Sequence, residues 1–141
     1  MYRTDDGGDR WVLIENGLPQ SQLSDEHVCA FGFPVAMDRR TDSVYTIPLE
    51  SDGFRYPRDG KLRVYRTRDK GANWTELDSG LPNDSYASVL RGAMATDDLD
   101  PCGVYFGTAS GKVYVNADAG DLWQELAPTF PRIMCIEVVS T

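Results

Sequence analysis

The chain has 141 residues, 41% of them hydrophobic, and a formal net charge of −8 at pH 7, a composition typical of one globular domain. The negative charge argues against nucleic acid and membranes as partners, because both require clustered cations. No apolar run is long enough to span a bilayer, so we expect a soluble protein.

The chain begins with an acidic turn between two short strands, in the sequence YRTDDGGDRWVLIENGLP at residues 2–19. Aspartates that alternate with glycines resemble a calcium loop or a catalytic carboxylate cluster. However, the pattern returns in register as YRTRDKGANWTELDSGLP at 65–82 and, more weakly, as YVNADAGDLWQELAPTFP at 114–131. This recurrence indicates that the acidic turn has an architectural role.

Between these copies the sequence predicts short strands rich in Val, Tyr, Phe and Thr. We place them at 28–37, 43–48, 61–67 and 73–77, and then at 86–95, 103–108, 112–117 and 122–126. Residues 132–140 predict one further inner strand. The chain therefore divides into a unit end (1–19), two four-stranded units (20–82 and 83–131) and a final strand (132–141). Units of this period predict an all-β fold typical of β-propeller blades.

The three copies resemble the Asp-box, or BNR repeat, written Ser/Thr-x-Asp-x-Gly-x-x-Trp. The matching residues are Thr4, Asp6, Gly8 and Trp11; Thr67, Asp69, Gly71 and Trp74; and Asn116, Asp118, Gly120 and Trp123, where Asn116 departs from the pattern. The chain is similar to the sialidase-like and glycosyl-hydrolase-like BNR propellers. The resemblance implies a partial propeller of about two and a half blades, the C-terminal fragment of a wheel of six or seven. Its implied partners are the missing N-terminal blades or other copies of the chain.

In that family the boxes lie on the face opposite the active site, which makes them structural. The physical expectation agrees: each aspartate accepts hydrogen bonds from turn amides, and each glycine permits a positive φ. Each tryptophan should bury its indole between blades. We therefore assign no metal ligand to the boxes and no cofactor to the chain.

The loop at 49–60 contains FRYP, which resembles the FRIP motif of sialidases, whose arginine holds the substrate carboxylate. In sialidases that motif precedes the first box, whereas Arg55 lies between two boxes, and the remaining triad arginines and the Tyr–Glu pair have no match. We therefore assign no catalytic residue. The loop and the segments 20–27 and 83–88 should share the face on which propellers bind ligands. The candidate ligand-face residues are Arg55, Tyr56, Arg58, His27 and Tyr86.

Two further features predict structure. Residues 95–101, ATDDLDP, lack the glycine and glutamate of a calcium loop and predict a turn between strands. Cys29, Cys102 and Cys135 have no metal-ligand spacing and are interpreted as buried small hydrophobes, with one disulfide as the alternative. Unpaired cysteines and the lack of a signal segment favour a cytoplasmic location.

Two hypotheses for function follow. The first is a binding or scaffold module, with a carbohydrate or protein ligand and no complete catalytic site. The alternative is the C-terminal portion of a sialidase-like glycoside hydrolase whose catalytic residues lie mostly in missing blades.

Overall fold

The computed structural model describes residues 1–21 and 31–139, so His27, Cys29 and the predicted strand start at 28–30 lie outside the described residues. The described chain forms a two-stranded hairpin and two four-stranded antiparallel sheets, in which each strand pairs with the next along the chain. The hairpin consists of β1 (Tyr2–Arg3) and β2 (Val12–Leu13). The all-β prediction is therefore confirmed.

The first sheet contains β3 (Phe31–Asp38), β4 (Ser43–Leu49), β5 (Val64–Thr67) and β6 (Thr75–Leu77), with a short 3-10 turn at Arg58–Gly60 between β4 and β5. The second contains β7 (Val89–Thr96), β8 (Val104–Thr108), β9 (Val113–Asn116) and β10 (Gln124–Leu126). These strands follow the predicted order and overlap the predicted ranges, although β5, β6, β7 and β10 begin two or three residues later than predicted.

The core lies between the two sheets, which meet through β3 and β7. It is built from the inward residues of both, including Ile47, Val64, Phe106 and Trp123, all buried. Strand β4 is buried along almost its whole length, which explains its run of apolar residues in place of strict alternation. The prediction of a further inner strand at 132–140 is wrong for residues 132–139, which make one isolated parallel bridge to β7, between Gly92 and Cys135, beside which Ile136 N donates to Gly92 O at 2.9 Å.

The two ends of the sheets carry different connections. Strand β5 enters from the 50–63 connection and ends at Thr67, where the 67–74 acidic hairpin begins. We call these the loop end and the hairpin end. The segments 83–88 and 109–112 lie at the loop end with residues 50–63, whereas the β3–β4 and β7–β8 turns lie at the hairpin end. In each sheet the acidic hairpin therefore lies at the end opposite to the connection between the second and third strands.

The predicted turn at 95–101 is a connection between β7 and β8 that is organised around Asp97. The Asp97 carboxylate accepts from Leu99 N at 3.0 Å, Gly103 N at 2.7 Å and Tyr105 Oη at 2.7 Å. Although burial opposes it, these hydrogen bonds lower the pKa of Asp97. Within residues 1–21 and 31–139, no group of three or more His, Cys, Asp or Glu side chains is placed to hold a metal ion.

The prediction of buried cysteines is only partly right. Cys102 is buried in the β7–β8 turn, but Cys135 is exposed. The segment that carries Cys135 is bridged to β7 along one edge, and no other described strand pairs with its second edge. Across the described part of the chain, we find no helix with the length and apolarity that a membrane crossing requires.

Candidate functional site

The acidic hairpin at 67–74 is closed by two short side chains that take up its backbone amides. Thr67 Oγ1 donates to Asp69 Oδ1 at 2.8 Å and accepts from Gly71 N at 2.8 Å. Asp69 Oδ1 also accepts from Asn73 N at 2.9 Å. The same four atoms make the same bonds in the first hairpin, from Thr4 and Asp6. The hydroxyl therefore works as donor and acceptor at once.

Asn116 performs this double role with an amide in the third hairpin. Its Oδ1 accepts from Asp118 N at 3.1 Å and from Gly120 N, while its Nδ2 donates to Asp118 Oδ1 and to Leu122 O. An amide offers an acceptor oxygen and donor hydrogens on one planar group, so it can replace a hydroxyl here. The departure from the Ser/Thr pattern therefore keeps the hydrogen bonding of the hairpin.

The hairpin aspartates are held as carboxylates by their own turns. Hydrogen bonds from the Asn73 side chain and backbone and from Thr67 lower the pKa of Asp69 to about 2. The pKa of Asp6 is lowered chiefly by Arg10 N. Although partial desolvation opposes it, hydrogen bonds from Leu122 N, from the Asn116 side chain and from Asp121 N lower the pKa of Asp118. These carboxylates are engaged inside the hairpins, and their chemistry is that of turn closure.

The three tryptophans occupy unequal environments, which corrects the expectation that all are buried. Trp74 and Trp123 are 6% and 2% exposed, whereas Trp11 is 61% exposed. Trp74 packs on the first unit and Trp123 on the second. Within the described residues no unit lies on the corresponding side of Trp11, which explains its exposure.

A depression of about 510 Å³ opens at the loop end. Its aromatic members form a chain of edge-to-face contacts, with centroids 6.1 Å apart for Phe54 and Tyr56 and 5.8 Å apart for Tyr56 and Tyr86. The side chains of Arg55 and Arg132 complete its polar lining. Phe54 and Tyr86 remain 52% and 65% exposed, so their rings are open to a ligand.

Two local arrangements position these side chains. Tyr86 lies against Gly60, where a Cβ would overlap the phenol ring, and Ser85 N donates to Gly60 O at 2.7 Å. A residue with a side chain at position 60 would therefore displace the ring. Arg55 is held within its own loop by Asp52, with Nη2 2.9 Å from the carboxylate and Nε 3.0 Å from the carbonyl.

The structure thus brings Arg55, Tyr56 and Tyr86 together, as the sequence predicts. Arg58 lies apart from them, because its Nη1 donates to Gln20 O at 2.7 Å in a neighbouring groove. His27 is outside the described residues. The sequence analysis missed Phe54, although its position two residues before Tyr56 in FRYP indicated a second aromatic side chain in the same loop. It also missed Arg132, which only the return of the C-terminal segment brings to this site.

The lining of the depression combines aromatic and cationic side chains with the hydroxyls of Ser88 and Ser110. Among the residues that the structure describes, it contains no histidine or carboxylate, the side chains most often used as acid and base in hydrolysis. Tyr56 and Tyr86 are the described lining residues that could exchange a proton with a ligand. The sequence matches no protein-family model and no curated protein.

Proposed function

We propose that the chain is an arc of an Asp-box β-propeller and acts as a binding module for a saccharide at the loop-end depression. The observation that carries this proposal is the chain of three aromatic rings flanked by two arginines. Aromatic faces pack against the C–H faces of sugar rings, and guanidinium groups pair with carboxylate oxygens or donate to hydroxyls. The proposal favours binding over hydrolysis because, among the described residues, the lining supplies rings and guanidinium groups but no histidine or carboxylate.

The propeller arrangement is supported by the way the units follow each other. Each four-stranded unit is an antiparallel meander whose first strand lies innermost, with β3 beside β7 and β7 bridged in parallel to Cys135. Units that present their first strands side by side and their hairpins at one end are what blades around an axis require.

Saturation-transfer NMR with glucuronate and with glucose tests the binding proposal on the intact chain. We expect saturation transfer from the protein to glucuronate, and an affinity loss of about tenfold in Tyr86→Ala and in Arg132→Ala, which corresponds to about 1.4 kcal/mol. Tyr2→Ala is the matched control, since Tyr2 is as exposed as Tyr86 but lies in the N-terminal hairpin.

Each outcome has a definite meaning. If glucose binds as strongly as glucuronate and only Tyr86→Ala weakens binding, the depression is a saccharide site in which the arginines do not contribute to affinity. No transfer to either sugar, or an equal loss in Tyr2→Ala, contradicts the proposed function.

A further inference from the structure

The joints between successive units share three contacts: a tryptophan backbone N–H, an arginine and a glycine each meet equivalent partners. On one side of each joint are the front elements: the residue after the hairpin aspartate, the hairpin glycine and the tryptophan. On the other side are the rear elements: an arginine on the third strand, an apolar residue on the fourth, and an Asn/Ser-Gly pair after it. The front elements are Gly7, Gly8, Trp11; Lys70, Gly71, Trp74; and Ala119, Gly120, Trp123. The rear elements are Arg3, Ile14, Asn16, Gly17; and Arg66, Leu77, Ser79, Gly80.

The joint between the first and second units is made of polar and apolar contacts. Trp74 N donates to Asn16 O at 2.9 Å, and Trp74 Nε1 donates to Ile14 O at 3.2 Å. Arg3 donates to the carbonyl of Lys70. Gly71 lies so close to Ile14 that a Cβ would overlap its side chain.

The joint between the second and third units reproduces these contacts at equivalent positions, except that Trp123 Nε1 makes no hydrogen bond among the described residues. Trp123 N donates to Ser79 O at 2.9 Å, and Arg66 donates to Ala119 O at 2.6 Å. Gly120 lies against Leu77 as Gly71 lies against Ile14. The repetition shows that a front surface recognises a rear surface of defined chemistry.

The rear glycine is required at both joints. Gly17 and Gly80 have φ of +91° and +88°, which disfavours any side chain. A Cβ on either would also overlap the backbone carbonyl of the tryptophan that docks there. Any larger residue at this position is therefore disfavoured both by its own backbone conformation and by overlap with the docked tryptophan carbonyl.

The third unit has the front elements and keeps the apolar rear residue as Leu126, but it lacks the other rear elements. Val115 stands where the first two units have arginine, Pro128 where they have Asn or Ser, and Thr129 where they have glycine. Its closing turn also bonds differently: Phe130 N donates to Gly111 O at 2.8 Å, whereas the second unit uses Leu62 N to Pro82 O. The third unit therefore offers no rear surface of the repeated kind.

The first unit presents the opposite case, an intact front surface on which none of the described residues is docked. Trp11 is exposed, and an added Cβ on Gly8 would meet no atom within 4 Å, whereas its counterparts are covered. We propose that the Trp11 surface docks a further four-stranded β-unit that carries arginine on its third strand and Asn/Ser-Gly after its fourth. This inference rests on the propeller proposal but not on the saccharide site. A second copy of the chain does not fit, because its two matching rear surfaces are already covered and its third unit lacks one.

Restoring a rear surface on the third unit tests, in the intact chain, whether the rear elements determine docking on the Trp11 surface. The rear-restored variant carries V115R, P128S and T129G, together with W11A to remove its own front surface. Mixed with the wild-type chain, it should form a one-to-one complex of twice the monomer mass in size-exclusion chromatography with light scattering. Each chain alone should run without a Trp11-dependent association.

Two controls isolate the proposed contacts. A variant with V115R, P128S and W11A keeps Thr129, whose Cβ should block the joint, so no complex is expected. The Trp11→Ala chain as the second partner should also give none. If the rear-restored variant loses its cooperative melting, T129G with W11A alone replaces it.

The proposal is overturned if folded partners do not associate, if the Thr129 control associates equally well, or if the wild type associates with itself through Trp11. A complex with no glucuronate binding would retain this joint and reject the saccharide site.

Discussion

Replacing Trp74 by alanine tests whether the joint tryptophans hold the units together. Trp74 is 6% exposed and packs with Leu18, Tyr65 and Ile14. Burying an indole removes roughly 200 Å² of surface from water, which is worth about 5 kcal/mol at 25 cal/mol per Å². Alanine retains a small part of this and leaves a cavity, so we expect Trp74→Ala to cost roughly 3–5 kcal/mol of unfolding free energy.

Trp11→Ala is the matched control, since the same side chain follows the same hairpin but is 61% exposed. We expect it to cost under about 1 kcal/mol. Urea unfolding followed by far-UV circular dichroism measures both, because the midpoint and slope of the transition give the unfolding free energy even where loss of an indole changes the amplitude. Equal losses for the two variants, or a loss under about 1 kcal/mol for Trp74→Ala, would refute the role given to the buried indole.

Three further predictions concern single residues. Gly80→Ala should lower the unfolding free energy by roughly 1–3 kcal/mol, because its φ is +88° and a Cβ would overlap the docked carbonyl. Gly53→Ala, which has open space for a Cβ, should change it little, and urea midpoints that move equally would contradict the assignment. Because the pKa of Asp69 is lowered from 3.8 to about 2, its contribution to stability is present above pH 4 and is lost as the pH falls towards 2. Asp69→Asn should remove part of this pH dependence of stability. If the urea midpoints of the variant change with pH as those of the wild type do, the prediction is contradicted. Finally, burial and nearby carboxylates raise the pKa of the Cys102 thiol to about 11, so iodoacetamide should modify exposed Cys135 much faster. Peptide mass mapping measures the two rates, and equal rates would be inconsistent with a buried Cys102.

The strand pattern was readable from sequence because Gly, Asp and Pro mark most turns and because β-branched and aromatic residues fill the strands. The predicted strand bounds differ from the observed ones where a backbone group bonds to a residue outside the neighbouring strand. The third strand was predicted from residue 61, yet β5 begins at Val64, because Leu62 N bonds to Pro82 O in the closing turn of its unit. Local propensity cannot reveal a partner 20 residues away.

The candidate site was less predictable. Arg55, Tyr56 and Tyr86 were found because topology alone places the 49–60 loop and the 83–88 segment at one end of the sheets. Arg132 was missed because its position depends on how residues 132–139 run beside β7. No local pattern distinguishes it from an arginine on any solvated segment.

The repeated motif does not show which unit docks on which. All three copies carry the hairpin aspartate, glycine and tryptophan, so by motif alone they are equivalent. The residues that distinguish them, Arg3 and Arg66 against Val115, and Gly17 and Gly80 against Thr129, lie outside the motif and act across the joint. The motif therefore specifies how a hairpin closes, whereas these outer residues specify which unit can be docked on which. A repeat array needs both, because hairpins that close identically would otherwise permit any order of units.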